Sequence, residues 1–371
     1  MVQKTFNITG PCVPSLHYMA DTSAKIDAII SEYIDRGCYF TINRARQYGK
    51  TTTLGLLTQK LSKDYIVIPI SFEGFGAEVF SSEKTFISTF MRRCWQRIPA
   101  SERQEHFSEL WADSEGIENI AALGDRITDI AAATPRRIVL MIDEVDKSSN
   151  ERLFLDFLGM LRDKYNDRTL YGSPAIYSVI LVGVHDIKNL KLKLRPEEQT
   201  FLNSPWNIAA EFKIDMSLST AEIKTMLQEY EADHHTGMDI GAVAERIFYY
   251  TAGYPFLVSD ICKVIDDEAL PWSSESVDEA KKTITRSSNT LFDDVIKNIT
   301  NNKKFDELLR RILYTGEEVA YQFNNPEIEL GAMYGILKEE DHTAVVSNII
   351  FKTIITDYYI SIDPNCCRRT I

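Results

Sequence analysis

The sequence predicts an α/β fold in which a parallel sheet is covered by helices on both faces. Apolar runs rich in β-branched and aromatic residues alternate with amphipathic segments up to residue 216. This alternation is typical of parallel strands joined by right-handed helical crossovers. Beyond that point the patterns are mostly helical. The predicted organisation is an N-terminal segment (1–25), a sheet core (26–216), a helical lid (217–300) and a C-terminal domain (301–371).

The first predicted elements are a helix over residues 22–36 and a strand over residues 38–42. The helix has an apolar face, and the strand is β-branched and aromatic. The strand leads into Gln47–Thr52, which contains Gly-Lys-Thr, and leucines at helical spacing follow from Leu54. The tripeptide therefore lies between a strand and a helix.

Gly-Lys-Thr in this position is the part of a Walker A loop, or P-loop, that contacts phosphate. Backbone N–H groups and the positive end of the helix dipole would hold the β-phosphate, while Lys50 would reach the β and γ oxygens. The Thr51 hydroxyl would ligate Mg²⁺. The predicted nucleotide-binding residues of the loop are Arg46, Gln47, Tyr48, Gly49, Lys50, Thr51 and Thr52.

The loop departs from the full GxxxxGK[ST] pattern at one position. Arg44 stands where the pattern requires its first glycine. A helix-initiating turn with a solvated Lys50 is therefore an alternative interpretation, and a second motif has to decide between the two.

The second motif follows the third predicted strand. A strand is expected over residues 65–72, a mostly helical insertion over 83–133, and a buried strand over 138–142 that runs into Asp143 and Glu144. Carboxylates at the C-terminal end of a parallel strand open into the crevice where such sheets bind ligands. Asp143 would hold Mg²⁺ through its water, and Glu144 would polarise the attacking water. An acidic loop is the alternative, but the two motifs in this order predict a bound nucleotide with magnesium.

An amphipathic helix around Leu153–Leu161 and a strand over residues 178–184 continue the alternation. In P-loop ATPases of this layout, the strand after the Walker B motif ends in a polar sensor near the γ-phosphate. His185 and Asp186 are candidates for that sensor, and an ordinary loop is the alternative.

The next segment is basic. Lys188–Arg195 is a candidate surface for an anion or a partner, with a solvated loop as the alternative. Arg195 is also a candidate arginine finger. The last strand of the sheet is predicted over Phe212–Met216.

The lid begins with a capping-box pattern at residues 219–222, followed by a helix over 240–250 and a rigid turn at 251–255. The C-terminal domain has the order helix, helix and hairpin, which predicts a winged helix. Its predicted elements are helices over residues 305–314 and 328–334 and a strand-like segment over residues 344–347.

Composition narrows the class of protein. The chain has 371 residues and a formal net charge of −13, which argues against coating of nucleic acid, because neutralising phosphates needs clustered Lys and Arg. No apolar run approaches the roughly 20 residues of a membrane span, and no signal-peptide pattern begins the sequence. Six cysteines lack the CxxC spacing and density of a metal or disulfide scaffold. We therefore expect a cytoplasmic protein with reduced thiols, no zinc site and no membrane contact.

The stretch Arg44–Thr51 resembles the arginine-rich, glycine-poor P-loop of the bacterial AAA-like ATPase family, which is related to archaeal-type and STAND ATPases. In that family the missing first glycine is normal. Asp143-Glu144 looks like its Walker B motif, and residues 182–190 are similar to its sensor strand. Residues 253–255 look like a lid element whose proline, Pro255 here, approaches the nucleotide.

The resemblance extends to the C-terminal domain, where residues 330–335 are similar to the winged-helix segment of the family. It implies a P-loop NTPase core with ATP and Mg²⁺ as ligands, a helical lid and a winged helix. Relatives commonly continue into a restriction-endonuclease-like module. Only a dozen residues follow Tyr359, so we expect no nuclease activity in this chain.

Three functions fit these features. The favoured one is a slow Mg²⁺-dependent ATPase that works as a nucleotide-driven molecular switch. The alternatives are a DNA-associated factor of a defence or mobile-element system that uses the winged helix, and a nucleotide-binding scaffold that does not hydrolyse ATP. The guanine-reading NKxD pattern is not evident, which favours adenine. The sequence leaves open whether the partner is a second copy of the chain, another protein or duplex DNA.

Overall fold

The computed structural model describes residues 3–103, 105–112, 114–148, 152–184, 206–315, 317–322 and 324–363. The chain divides into two compact units. The sheet unit comprises residues 24–43 and 53–214, and the helical unit comprises residues 1–23, 44–52 and 215–371. Within the described ranges, none of the helices combines the length and the apolar character needed to cross a bilayer.

The sheet unit is built on four parallel strands. They are β1 Tyr39–Asn43, β2 Ile66–Ser71, β3 Ile138–Asp143 and β4 Ser178–Gly183. Their order in the sheet is β1-β4-β3-β2. Every residue of β3 and β4 is buried, as expected for strands covered on both faces. The four strands predicted before residue 190 are thereby confirmed.

The helices between β2 and β4 share one hydrophobic core with this sheet. Aromatic rings dominate that core, for example Phe86 and Phe157, whose centroids lie 5.3 Å apart. A π-helical turn, Ile30–Ile34, extends the first helix of the chain. The α-helices that precede β4 are α1 Ser23–Ile29, α2 Lys50–Leu61, α3 Ala77–Phe80, α4 Glu83–Arg97, α5 Glu105–Ala112, α6 Ile120–Ala132 and α7 Arg152–Tyr171. The predicted helical insertion is confirmed as helices α4, α5 and α6.

The strand predicted over residues 212–216 does not form. Ala210 alone makes a parallel bridge to β1. The Tyr33 hydroxyl donates a hydrogen bond to the carbonyl of Glu211 and accepts one from the N–H of Lys213, both at 3.0 Å. Because a side chain satisfies these backbone groups, they do not take part in a ladder with β1.

The helical unit continues with a capping box, as predicted. The Ser219 hydroxyl accepts from the N–H of Glu222 at 3.2 Å, and the Glu222 carboxylate accepts from the N–H of Ser219 at 2.7 Å. The helices that follow are α8 Thr220–His234, α9 Ile240–Thr251, α10 Pro255–Asp267, α11 Ser274–Arg286 and α12 Thr290–Thr300.

The turn between α9 and α10 depends on a glycine. Ala252 and Gly253 have positive φ angles of 46° and 75°. A Cβ added at Gly253 would lie 2.0 Å from the carbonyl oxygen of Leu218. No side chain fits at so short a distance, so this position needs a glycine. Pro255 is the first residue of α10, where its missing N–H removes no helical hydrogen bond. The predicted break between two helices at this turn is confirmed.

The last part of the helical unit contains helices and a hairpin in the predicted order. A π-helical turn, Arg311–Thr315, extends the helix that ends at Arg310. The two-residue turn of the hairpin has positive φ at Asp341 and His342. The winged helix itself stays a hypothesis. The elements are α13 Lys303–Arg310, α14 Pro326–Met333, β5 Leu337–Glu340, β6 Thr343–Val346 and α15 Ile349–Ile362.

The N-terminal segment packs against α8 through aromatic side chains. The rings of Phe6 and Tyr18 lie 5.2 and 5.1 Å from the ring of Tyr230. The Tyr18 hydroxyl donates to the carboxylate of Asp233 at 3.0 Å. The segment is therefore part of the core of the helical unit.

Candidate functional site

The loop between β1 and α2 contains two residues with positive φ angles, a feature that it shares with anion-binding loops. Gln47 and Gly49 have positive φ angles of 57° and 75°, Tyr48 between them does not, and α2 begins at Lys50. When residues with left-handed and right-handed backbone conformations alternate, their successive N–H groups point towards one concave side, where an anion can bind. The N-terminus of α2 adds partial positive charge at the same place.

The side chain of Lys50 is buried within this loop. It is 8% exposed, and its ammonium group donates hydrogen bonds to the carbonyl oxygens of Arg44 at 2.9 Å and Ala45 at 2.8 Å. The solvated lysine of the alternative interpretation is therefore not what the structure shows. The loop closes around its own lysine with Arg44 in place of the first glycine.

The two threonines that follow lie in the first turn of α2. Thr51 is exposed. The Thr52 hydroxyl accepts a hydrogen bond from the N–H of Cys12 at 3.0 Å, which connects the N-terminal segment to the start of α2. Burial raises the pKa of the Cys12 thiol, so this cysteine is a poor nucleophile.

Arg46 and Gln47 extend their side chains to α12. The Nη1 atom of Arg46 lies 2.9 Å from Oδ2 of Asp294. The amide of Gln47 donates to the hydroxyl of Thr290 at 3.3 Å. Both side chains thus bind protein groups, and the contribution of these residues to the concave side of the loop comes from the backbone.

Tyr48 is held by two residues of the helical unit. Its hydroxyl lies 2.6 Å from the Ser217 hydroxyl, and its ring meets that of Tyr254 edge-on at 4.6 Å. The Tyr254 hydroxyl donates a hydrogen bond to the carbonyl of Arg46. Burial raises the pKa of both tyrosines, so both hydroxyls keep their protons. Pro255 is half-buried, and the side chain that binds the loop is that of its neighbour Tyr254.

The second motif lies at the end of β3. Asp143 is the last residue of the strand and is 7% exposed, and its Oδ1 accepts from the N–H of Glu144 at 2.9 Å. Glu144 has a φ of 56°, a conformation that costs a residue other than glycine about 1 kcal/mol or more. Strain of this kind is concentrated at functional sites.

The neighbouring acid, Asp146, has a different role. Its carboxylate accepts a hydrogen bond from the N–H of Val184. A Cβ added at Gly183 would lie 2.7 Å from Oδ1 of Asp146, so this close contact requires the glycine. Asp146 therefore holds the end of β4 beside the end of β3.

Three candidates lie outside the described residues. They are the sensor candidates His185 and Asp186 and the arginine-finger candidate Arg195.

The strand order brings three strand ends to one edge of the sheet. Because β4 lies between β1 and β3, Asn43, Gly183 and Asp143 end side by side. Parallel sheets bind ligands outside this edge. The loop starts at Arg44, directly after Asn43.

The candidate metal ligands are oxygen donors, which is the ligand chemistry that magnesium prefers. The described residues hold no group of three His, Cys, Asp or Glu side chains arranged around a metal ion. Mg²⁺ prefers oxygen ligands and is usually bound through one or two carboxylates together with substrate phosphates. The Thr51 hydroxyl and the Asp143 carboxylate are donors of that kind.

Several residues that hold the loop were not predicted from the sequence. In each contact the two residues are far apart in the sequence. The separation is 169 residues between Tyr48 and Ser217, 208 between Arg46 and Tyr254, and 248 between Arg46 and Asp294. The only local signal is the position of Tyr254 in the turn before Pro255. The partners are set by packing, which sequence periodicity does not report.

The fold and the loop have the layout of the P-loop class of α/β proteins. A family model described as "AAA-like domain" matches residues 13–357, and the chain belongs to this family. No curated protein matches the sequence.

Solved structures share this fold at low sequence identity. A Walker-type ATPase of Pyrococcus abyssi is similar with a TM-score of 0.60 and 12% identity, over 95% of this chain and 99% of that one. The ORC2 protein of Aeropyrum pernix, in ADPNP and ADP complexes, matches with a TM-score of 0.47 and 13% identity, over 93% of each chain. The first of these likenesses supports the fold of the chain and nothing further.

Proposed function

We propose that this protein binds ATP with magnesium and hydrolyses it slowly, as a nucleotide-driven molecular switch. The observation that carries the proposal is the loop of residues 44–50, which is closed around Lys50 at the end of a strand of a parallel sheet. Membership of the AAA-like family supports it.

The binding step uses the loop and the strand end. In this proposal the N–H groups at Gly49 to Thr52 hold the β-phosphate, and Lys50 contacts the β and γ oxygens. The Thr51 hydroxyl and, through a water molecule, the Asp143 carboxylate would hold Mg²⁺. When bound, that ion neutralises charge on the phosphate oxygens.

The hydrolytic step is assigned to Glu144. Its carboxylate orients the attacking water and accepts its proton as a general base. The positive φ of Glu144 sets the direction of the side chain at the end of β3. Sensor roles for His185 and Asp186, an arginine finger at Arg195 and an approach of Pro255 to the nucleotide belong to the same proposal.

The charge of α14 favours this function over DNA binding. In a helix-turn-helix the second helix enters the major groove and needs basic or polar groups there. Helix α14, which precedes the hairpin, carries Glu327 and Glu329 and no Lys or Arg. Such a helix would repel phosphate, so the DNA-associated alternative is disfavoured.

Titration calorimetry with ADP and ATP in the presence of Mg²⁺, together with phosphate release, tests the proposal. We expect Lys50→Ala to weaken binding by about 10- to 100-fold, because a charge-assisted hydrogen bond is lost. We expect Glu144→Gln to lower turnover by about 100-fold or more while binding is kept. Glu118→Gln, at an exposed position, is the matched control.

The outcomes separate the alternatives. A wild-type protein that does not bind either nucleotide would remove the proposal. A wild-type protein that binds but turns over no faster than Glu144→Gln is the non-hydrolysing scaffold. For the switch role, limited proteolysis should give different patterns with ADP and with a non-hydrolysable ATP analogue.

A further inference from the structure

We propose that Tyr254 is a positioning residue of the phosphate-binding loop, which holds the loop backbone in its phosphate-binding shape where the first glycine is missing. The inference rests on the proposed function, because it names a residue that shapes the same site.

The loop is held from outside at four consecutive residues. Each of them contacts a segment of the helical unit that is distant in sequence. Ala45 lies against Gly335, so that a Cβ added at Gly335 would be 2.9 Å from the Cβ of Ala45. The other three pairs are polar contacts: Arg46 with Asp294 at 2.9 Å, Gln47 with Thr290 at 3.3 Å, and Tyr48 with Ser217 at 2.6 Å.

Tyr254 makes the contact to the backbone itself. Its hydroxyl donates a hydrogen bond to the carbonyl of Arg46, in the peptide that joins Arg46 to Gln47. In a planar trans peptide the C=O and the N–H point in opposite directions. Holding this carbonyl towards Tyr254 therefore turns the N–H of Gln47 to the opposite side.

The peptide that Tyr254 holds adjoins a residue with an unfavourable conformation. Gln47 has a positive φ of 57°, which a residue other than glycine adopts only when its surroundings enforce it. A glycine-rich loop reaches such conformations without help. In this loop a tyrosine hydroxyl supplies the restraint.

Tyr254 is suited to this task because its side chain is closely packed. Its side chain is 2% exposed, and its ring packs edge-on against Tyr48 at 4.6 Å and Phe351 at 5.3 Å. Burial raises the pKa of the hydroxyl well above its usual range, so it remains a donor across the physiological range of pH. A fixed donor restrains its acceptor at little entropic cost.

The test compares Tyr254→Phe with Tyr250→Phe in the full-length protein. Both substitutions delete one hydroxyl and keep the ring. Tyr250 lies four residues before Tyr254 in the same unit. Its hydroxyl donates a hydrogen bond to Asp278 at 3.0 Å, and this contact does not involve the loop. Binding of ADP with Mg²⁺ is measured by calorimetry, with wild type and Lys50→Ala alongside, and KM and kcat are measured for ATP.

We expect Tyr254→Phe to raise the Kd for ADP by about fivefold or more, the equilibrium effect of one hydrogen bond, and Tyr250→Phe to leave it unchanged. KM for ATP should rise by a similar factor with kcat within about twofold, because the loop binds ground state and transition state alike. A structural role alone would lower the melting temperature of both variants without this difference in affinity.

The outcomes are distinct. If wild type binds ADP and Tyr254→Phe binds it equally well, the inference is wrong and the proposed function stands. If wild type does not bind, or Lys50→Ala has no effect, the proposed function itself is wrong. Should Tyr254→Phe not fold, Tyr254→Met fills the same space with a flexible apolar side chain that has no hydroxyl, and unchanged affinity for ADP in that variant would overturn the inference.

Discussion

The ammonium group of Lys50 lies 2.8 Å from the carbonyl oxygen of Ala45, five residues earlier in the same loop. A second bond, to the carbonyl of Arg44 at 2.9 Å, completes a ring of backbone around the cation. Both bonds restrain the backbone of the loop, and a restraint of this kind reduces the conformational entropy that binding of a phosphate removes.

The first prediction concerns this ring. Lys50→Met keeps the length of the side chain but removes both hydrogen bonds to the loop. We expect the free energy of unfolding without nucleotide to fall by about 1–3 kcal/mol, measured by urea denaturation. Lys60→Met is the control, since Lys60 is 45% exposed in an ion pair with Asp27, and such pairs contribute about 0–1 kcal/mol. Equal effects of the two substitutions would contradict a structural role for the Lys50 ammonium group.

The second prediction compares two glycines where an added Cβ meets no atom within 4 Å. Gly49 has a φ of 75°, whereas Gly55 lies inside α2. We expect Gly49→Ala to destabilise by about 1–2 kcal/mol, because the left-handed conformation disfavours a Cβ. Gly55→Ala should stabilise by about 0.5–1 kcal/mol through helix propensity. Thermal unfolding measures both, and changes of the same sign would show that Gly49 does not need its conformation.

The third prediction concerns the turn between α9 and α10. Gly253→Ala places a Cβ 2.0 Å from the Leu218 carbonyl oxygen, while Gly237→Ala at nearly the same φ meets open space. We expect a loss of about 3 kcal/mol or more for Gly253→Ala, from strain and a backbone clash together. Gly237→Ala should lose only the conformational part, about 1–2 kcal/mol. Similar melting temperatures for the two variants would show that the turn relaxes.

The fourth prediction is a pH dependence from Asp260. This carboxyl is 8% exposed on α10, and burial raises its pKa to about 6, with Lys263 opposing the shift. Between the unfolded pKa of about 4 and the folded value, the native state binds more protons than the unfolded state, so stability falls as pH rises through this window.

Asp260→Asn removes this titration. Urea denaturation from pH 4 to pH 7 should show the variant gaining stability relative to wild type, by about 2 kcal/mol at pH 7. Asp267→Asn, at an exposed position on the same helix, is the control and should follow the wild-type profile. A constant difference between Asp260→Asn and wild type across the window would contradict the prediction.

The local features of the chain were predictable from sequence. The apolar runs of β1 to β4, the Gly-Lys-Thr between strand and helix, the capping box at Ser219 and the turn at Gly253 each depend on residues close together in the chain. Periodicity, capping chemistry and turn geometry act over a few residues, so a single sequence reports them. The AAA-like family followed from the same local motifs.

The tertiary structure decided what depends on distant partners. Residues 212–216 have the composition of a strand, yet the Tyr33 hydroxyl takes the backbone groups of Glu211 and Lys213. The loop around Lys50 is held by Tyr254, a contact that spans 208 residues. Hydrogen bonds of this kind form only after the whole chain has packed, because the position of a side-chain donor is set by the core that surrounds it.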